Sequence, residues 1–170
     1  MKLKNICIMG TLRSGKTLVS RALNIHPYIS VQVEPYFFFF KICRNIFYRD
    51  ILKDDIDPES PISSGFANFS GYTNLFNEKF NNLQFKDSNI KELIKKTTWQ
   101  QEYEDCKRAP LIVPMLHSLR PGSAKEVLNK LMKILAVSYQ KENLQYIGIS
   151  EGWCDEFIAP LTTDLHYKCI

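Results

Sequence analysis

The chain has 170 residues, of which 45% are hydrophobic and 24% are charged, so it is long enough for one globular domain with a core. Its formal net charge of +4 comes from scattered Lys and Arg residues, and without a basic block it does not predict binding to nucleic acid. The five cysteines show no CxxC pair and no metal-ligand spacing, which predicts neither a disulfide framework nor a metal site.

No segment approaches the ~20 apolar residues of a membrane span. The apolar run that follows Lys2 and Lys4 is also shorter than the roughly 7 to 15 residues of a signal-peptide core. These features predict a soluble, cytoplasmic protein with a single domain over residues 1–170 and no membrane span.

The first thirty-three residues predict a strand, a loop, a helix and a second strand. Residues 5–10 contain four consecutive apolar residues closed by a glycine, which is typical of a buried strand. Residues 16–25 predict an amphipathic helix that Pro27 ends. Residues 29–33 alternate apolar and polar side chains and predict a strand that ends at Glu34. In the helix the apolar face comprises Leu18, Val19, Ala22 and Leu23, and the other face carries Ser20, Arg21 and Asn24.

The next segment, residues 36–51, is rich in aromatic residues and predicts a helix whose aromatic side chains belong to the core. On this helix Lys41, Arg44 and Arg49 are expected to face solvent. Residues 54–71 are rich in Pro, Gly, Ser and Asp and predict an excursion loop of the kind that lines substrate clefts.

The remaining chain predicts further helices and strands. Residues 73–106 have a mostly helical pattern, and residues 111–113 predict a short strand or an extended connector. Ser123 and Glu126 have the spacing of a capping box at the start of a helix. Candidate buried positions in the first of these segments are Phe76, Phe80, Leu83, Ile90, Leu93 and Ile94.

At the C-terminal side, residues 146–149 predict a core strand, residues 155–161 a short helix, and residues 167–170 the opening of another strand. Alternating strands and helices predict an α/β domain with a parallel sheet covered by helices on both faces. Because a natural domain rarely stops inside a core strand, the pattern favours a fragment that is incomplete at its C-terminus.

The loop between the first strand and the first helix fits the Walker A pattern Gly10-x-x-x-x-Gly15-Lys16-Thr17. In such a loop the backbone N–H groups and the positive end of the helix dipole converge on a phosphate. Lys16 and Arg13 add positive charge, and the hydroxyls of Ser14 and Thr17 add hydrogen-bond donors. The loop is therefore predicted to bind a phosphorylated ligand.

An enzyme that uses ATP or GTP would also need a carboxylate for Mg²⁺, usually an Asp at the end of another apolar strand. The predicted strands lead into Glu34 and into Ser150-Glu151, and neither supplies an Asp. This weakens the hypothesis of a kinase without removing it.

The residues around the loop resemble the sulfotransferase superfamily. The resemblance rests on Arg13-Ser14-Gly15-Lys16-Thr17-Leu18, on Leu23-Asn24-Ile25-His26-Pro27 and on Glu34-Pro35. It covers residues 5–40, returns weakly at 147–161, and departs from the family pattern at Lys16, where the family has Thr. Between residues 41 and 145 there is no resemblance.

The resemblance implies a P-loop NTPase-like, three-layer fold and a donor, 3'-phosphoadenosine 5'-phosphosulfate (PAPS), whose 5'-phosphosulfate lies in the loop. It assigns donor binding to residues 13–18, namely Arg13, Ser14, Gly15, Lys16, Thr17 and Leu18. The family's 3'-phosphate site has no counterpart in this sequence.

Two residues receive chemical roles from the resemblance. Arg13 would stabilise the leaving phosphate, and Glu34 matches the general base of the tyrosylprotein branch of the superfamily. His26 is expected to shape the helix end and is given no chemistry. The acceptor would be a hydroxyl or amine of a small molecule, carbohydrate or peptide. The alternatives are an ATP-dependent small-molecule or nucleotide kinase and a non-catalytic fragment that retains the loop.

Overall fold

The computed structural model describes residues 3–10, 14–33, 36–61, 72–104, 106–151, 161–162 and 167–169. In chain order the strands are β1 (Lys4–Met9), β2 (Ile29–Val33), β3 (Gln84–Phe85), β4 (Gly122–Ser123), β5 (Tyr146–Glu151) and β6 (Lys168–Cys169). The main sheet is parallel and has the order β2-β5-β1-β6, while β3 and β4 form a separate antiparallel pair. The predicted α/β class with a parallel sheet is confirmed, and β6 pairs with β1 where the opening of a strand was expected.

Six α-helices accompany the strands in the described part of the chain. They are α1 (Lys16–Ile25), α2 (Phe37–Ile46), α3 (Thr73–Lys79), α4 (Asp87–Glu104), α5 (Ala109–Leu116) and α6 (Ala124–Val137). A π-helical turn, Phe47–Leu52, extends α2, and a 3₁₀ turn, Phe80–Asn82, extends α3. The predicted helix at 155–161 lies outside the described residues except for Leu161.

The connections place helices on both faces of the main sheet, as predicted. The crossover from β1 to β2 contains α1, and the crossover from β2 to β5 contains α2 to α6. These two crossovers run in opposite directions across the sheet, and because parallel crossovers are right-handed in nearly all proteins, they lie on opposite faces. Accordingly α1 contacts β1, β2 and β5 from one side, and α6 contacts β2 and β5 from the other.

The two faces bury very different amounts of apolar surface. On the α6 face, Cys7, Ile147 and Ile149 pack into the large cluster formed with α2 to α6. On the α1 face the buried cluster of the described residues consists of Ile6, Ile8 and Val31. The main hydrophobic core therefore lies on the α6 side of the sheet.

The aromatic residues of α2 belong to this core, as predicted. Phe39 and Phe40 are fully buried, and so is Tyr36 immediately before the helix. The ring of Phe39 stacks on Phe85 with 5.3 Å between the centroids and an interplanar angle of 7°. Of the six buried positions predicted in residues 73–106, five are buried and Ile94 is partly buried.

The prediction that Lys41 and Arg44 face solvent is wrong, whereas Arg49 is exposed as predicted. Both buried cations donate hydrogen bonds to acceptors in the segment 57–61. Arg44 donates to the carbonyl oxygens of Pro61, of Ser60 (3.3 Å) and of Asp57 (3.4 Å), and burial lowers its pKa.

Lys41 Nζ donates to the backbone oxygen of Glu59 at 2.9 Å and pairs with its carboxylate at 3.3 Å. The carboxylate also accepts from Lys96 at 2.7 Å. These contacts fasten the first part of the predicted excursion loop to α2 and α4, because buried cations must be compensated by acceptors. Residues 62–71 of that loop lie outside the described residues.

The prediction of a strand or extended connector at residues 111–113 is also wrong, since these residues form the middle of α5. Proline near the start of a helix costs nothing, because the first N–H groups have no helical partner. Pro114 removes one interior hydrogen bond, but burial of Ile112 and Leu116 compensates. Tertiary packing here overrides a local signal.

The cysteine spacing predicted no disulfide framework, but one of the described cysteines is paired. Cys7 in β1 is disulfide-bonded, whereas Cys43 and Cys106 are free, the first buried and the second exposed. None of the helices described here is long and apolar enough to cross a membrane.

Candidate phosphate-binding site

The predicted phosphate loop joins the carboxyl end of β1 to the amino end of α1. At its start, Gly10 lies directly against Ser14: a Cβ atom on Gly10 would lie 2.6 Å from Ser14 Oγ. Any larger residue at position 10 would displace the Ser14 side chain. Gly10 and Ser14 are therefore in close contact just before the helix begins.

Gly15 is the N-cap of α1 and has a left-handed backbone conformation, with φ +82°. A Cβ atom there would meet no other atom within 4 Å, so the backbone conformation and not crowding requires glycine. The Gly15 carbonyl accepts from the N–H groups of Leu18 (2.9 Å) and Val19 (3.1 Å), which starts the helix. As a glycine, the N-cap residue has no side chain that could accept from the first N–H groups of the helix.

The side chains of the loop and first turn differ in exposure. Ser14 is exposed, Thr17 is partly buried and Lys16 is buried. Leu18 is 73% exposed, so its contribution to the site would come from its backbone. The structure thus brings together five of the six predicted donor-binding residues, while Arg13 and Glu34 lie outside the described residues.

The loop lies where the topology of the sheet predicts a binding site. β1 and β5 are neighbours in the sheet, whose order is β2-β5-β1-β6. After β1 the chain crosses to β2 at one edge of the sheet, and after β5 it crosses to β6 at the other edge. In parallel α/β sheets a crevice opens at the carboxyl ends of two such strands, and ligands bind there. The Gly10–Thr17 loop leaves β1 at this switch point.

The orientation of α1 against the sheet differs from the sequence prediction. Ser20 is fully buried and donates to the Lys16 carbonyl at 2.8 Å, whereas Val19 and Ile25 are 41% and 85% exposed. Of the predicted apolar face, only Leu23 packs against the sheet cluster. The apolar face of α1 is therefore largely exposed.

Asn24 sets this orientation. Its Oδ1 accepts from the Val31 N–H at 2.7 Å, and its Nδ2 donates to the Val31 carbonyl at 2.6 Å and to the Tyr139 hydroxyl at 3.1 Å. Lys141 Nζ also donates to the carbonyl oxygens of Asn24 (2.7 Å) and His26 (2.9 Å), which neutralises the negative end of the helix dipole. The sequence placed Asn24 on the polar face of the helix without a role, because a contact with Tyr139, 115 residues away, leaves no local signal.

His26 shapes the helix end, as predicted. The backbone N–H of His26 donates to the Leu23 carbonyl at 3.0 Å, and the ring nitrogen Nδ1 accepts from the backbone N–H of Tyr28 at 3.3 Å. The ring contacts Tyr28 edge-on and is otherwise exposed. Within the described ranges, no group of three His, Cys, Asp or Glu side chains is placed to hold a metal ion.

The described residues form an α/β fold with a parallel sheet, in which a loop joins β1 to α1. Comparisons with models of protein families, with curated proteins and with solved structures give no match.

Proposed function

We propose that this chain is the donor-binding part of a sulfotransferase that transfers a sulfuryl group from PAPS to a hydroxyl or amine acceptor. The observation that carries the proposal is the left-handed Gly15 at the N-terminus of α1, which follows β1 at the switch point of the sheet. A glycine cradle of this kind fits the 5'-phosphate end of the donor, because backbone N–H groups approach the oxygens without a Cβ clash.

The proposed roles follow from charge and position. Backbone N–H groups of residues 15–17, the hydroxyl of Thr17 and the ammonium of Lys16 would hold the 5'-phosphate oxygens. Arg13 would stabilise the negative charge that develops on the leaving phosphate. Glu34, directly after β2, would accept the proton of the acceptor. PAPS, when bound, supplies the sulfuryl group.

Calorimetric titration of the protein with 3',5'-adenosine bisphosphate (PAP), with and without Mg²⁺, tests this proposal. PAP should bind without Mg²⁺. Arg13→Ala should weaken PAP binding by about 10- to 100-fold, the equivalent of one charge-assisted hydrogen bond of about 1.5–3 kcal/mol.

Arg21→Ala is the matched control, because Arg21 is an exposed arginine on α1 outside the loop. It changes the net charge by the same amount and should leave PAP binding unaltered. Binding of PAP that requires Mg²⁺, or equal effects of the two substitutions, would contradict the proposal.

A second candidate, an ATP-dependent kinase, is favoured by Lys16, a buried lysine at the first position of α1 and at the lysine position of the Walker A pattern. This candidate predicts ATP binding that requires Mg²⁺ and that Lys16→Ala abolishes. Binding of PAP that is independent of Mg²⁺ would count against it.

A further inference from the structure

A cavity lies between the C-terminal part of α4 and the helix α5. Its volume is about 320 Å³, at the lower end of the range for small-molecule sites. It is lined by Glu102, Cys106, Ala109, Pro110, Val113 and Pro114. We propose that this cavity binds a small organic ammonium ion with an apolar body, independently of the function proposed above.

Two of the lining residues, Pro110 and Glu102, supply hydrogen-bond acceptors. Pro114 has no N–H, so the carbonyl oxygen of Pro110, four residues earlier, receives no regular helical hydrogen bond. The carboxylate of Glu102 is exposed and has no ion-pair partner among the described residues. An acceptor set that includes a carboxylate is complementary to a ligand that carries N–H donors and a positive charge.

Arg108, the cationic residue nearest in sequence to Pro110, contacts Tyr139 and not the cavity. The Arg108 guanidinium carbon lies 4.0 Å from the centroid of the Tyr139 ring, and Arg108 does not line the cavity. Glu102 is therefore the charged residue of the lining. Its negative charge favours a cation over an anion as ligand.

The apolar part of the lining fits the body of such a ligand. Ala109, Pro110, Val113 and Pro114 supply it, and all four belong to one helix. Proline rings have no rotamers to lose on binding, so a wall with two prolines is preorganised for an apolar group.

Two exposed aromatic residues adjoin Glu102 on α4. The rings of Trp99 and Tyr103 are stacked with 5.7 Å between centroids and an interplanar angle of 5°, although they are 60% and 80% exposed. Trp99 precedes Glu102 by three positions, so their side chains are neighbours on the helix surface. Aromatic faces beside a carboxylate attract an ammonium ion further.

Cys106 makes the proposal testable without knowledge of the physiological ligand, because it is a free, exposed thiol in the lining. The experiment follows alkylation of Cys106 by N-ethylmaleimide, using peptide mass spectrometry, in the presence of 2-phenylethylamine or of 2-phenylethanol. At neutral pH the amine is a cation, while the alcohol is a neutral molecule of nearly the same shape. The amine should slow alkylation several-fold, and the alcohol should slow it much less.

Glu102→Gln should abolish the difference between the two compounds while the fold is kept, since the side chain is exposed. Glu142→Gln, an exposed glutamate outside the cavity lining, is the matched control and should retain the difference. Cys43 is buried, so its alkylation reports any unfolding in the same sample. Equal slowing by amine and alcohol, or no slowing by the amine while Cys43 stays unmodified, would overturn the proposal.

Discussion

The helices α1 and α6 lie on opposite faces of the same sheet, but they are stabilised in different ways. α6 buries eight residues and starts with a complete capping box, in which the Ser123 hydroxyl accepts from the Glu126 N–H at 3.3 Å. α1 buries Lys16 and Ser20 and starts at Gly15 without a side-chain cap. The difference shows that α6 is stabilised by burial and by its cap, whereas α1 gains less from burial and nothing from the side chain of its N-cap residue.

The largest expected effect tests this contrast directly through two matched leucine substitutions. Leu128→Ala in α6 removes a fully buried side chain and should lower the free energy of unfolding by about 2–5 kcal/mol. Leu18→Ala in α1 removes a side chain that is 73% exposed and should change it by less than about 0.5 kcal/mol. Denaturant unfolding of both variants measures the contrast, which would be lost if Leu18→Ala were as destabilising as Leu128→Ala.

A smaller effect is expected at Gly148, which lies between Ile6 and Val31 in the small buried cluster on the α1 face of the sheet. A Cβ atom there would lie 2.6 Å from Ile6 Cγ1 and 3.0 Å from Val31 Cγ2, its neighbours in register. Gly148→Ala should therefore destabilise the protein by about 1–3 kcal/mol through overpacking. In an Ile6→Ala background the cost of Gly148→Ala should shrink, and a double-mutant cycle without coupling would argue against this close packing.

The smallest expected effect concerns the pH dependence of the α6 capping box. Hydrogen bonds from the Ser123 N–H (2.9 Å) and hydroxyl (2.8 Å) lower the pKa of the Glu126 carboxyl. Since the folded-state pKa is lower than the unfolded one, the stabilisation is complete above the unfolded pKa of about 4.3 and is lost as the pH falls through the folded value.

Glu126→Gln keeps an acceptor for the Ser123 N–H but does not titrate. Melting temperatures of the wild type and of this variant should therefore differ more at pH 7 than at pH 3. A difference that is the same at both pH values would show that the carboxylate charge contributes nothing to the cap.

The loop illustrates how far the sequence predicts a site. The spacing of Gly10, Gly15 and Lys16 identified the turn between β1 and α1 because a phosphate-binding turn requires glycine at fixed positions. The spacing did not reveal that Lys16 is buried or that α1 exposes its apolar face, since the rotation of α1 depends on hydrogen bonds from Asn24 to Val31 and Tyr139.

The sequence by itself determined the elements whose signals are local: the buried strands, the capping box at Ser123 and the aromatic core helix after residue 36. Each depends on periodicity or on side chains within a few residues. Only the tertiary structure decided the helix at 109–116, the burial of Lys41 and Arg44, and the cavity beside Glu102. These depend on partners distant in sequence, whose packing and hydrogen bonds outweigh the local preference of proline or of a charged side chain.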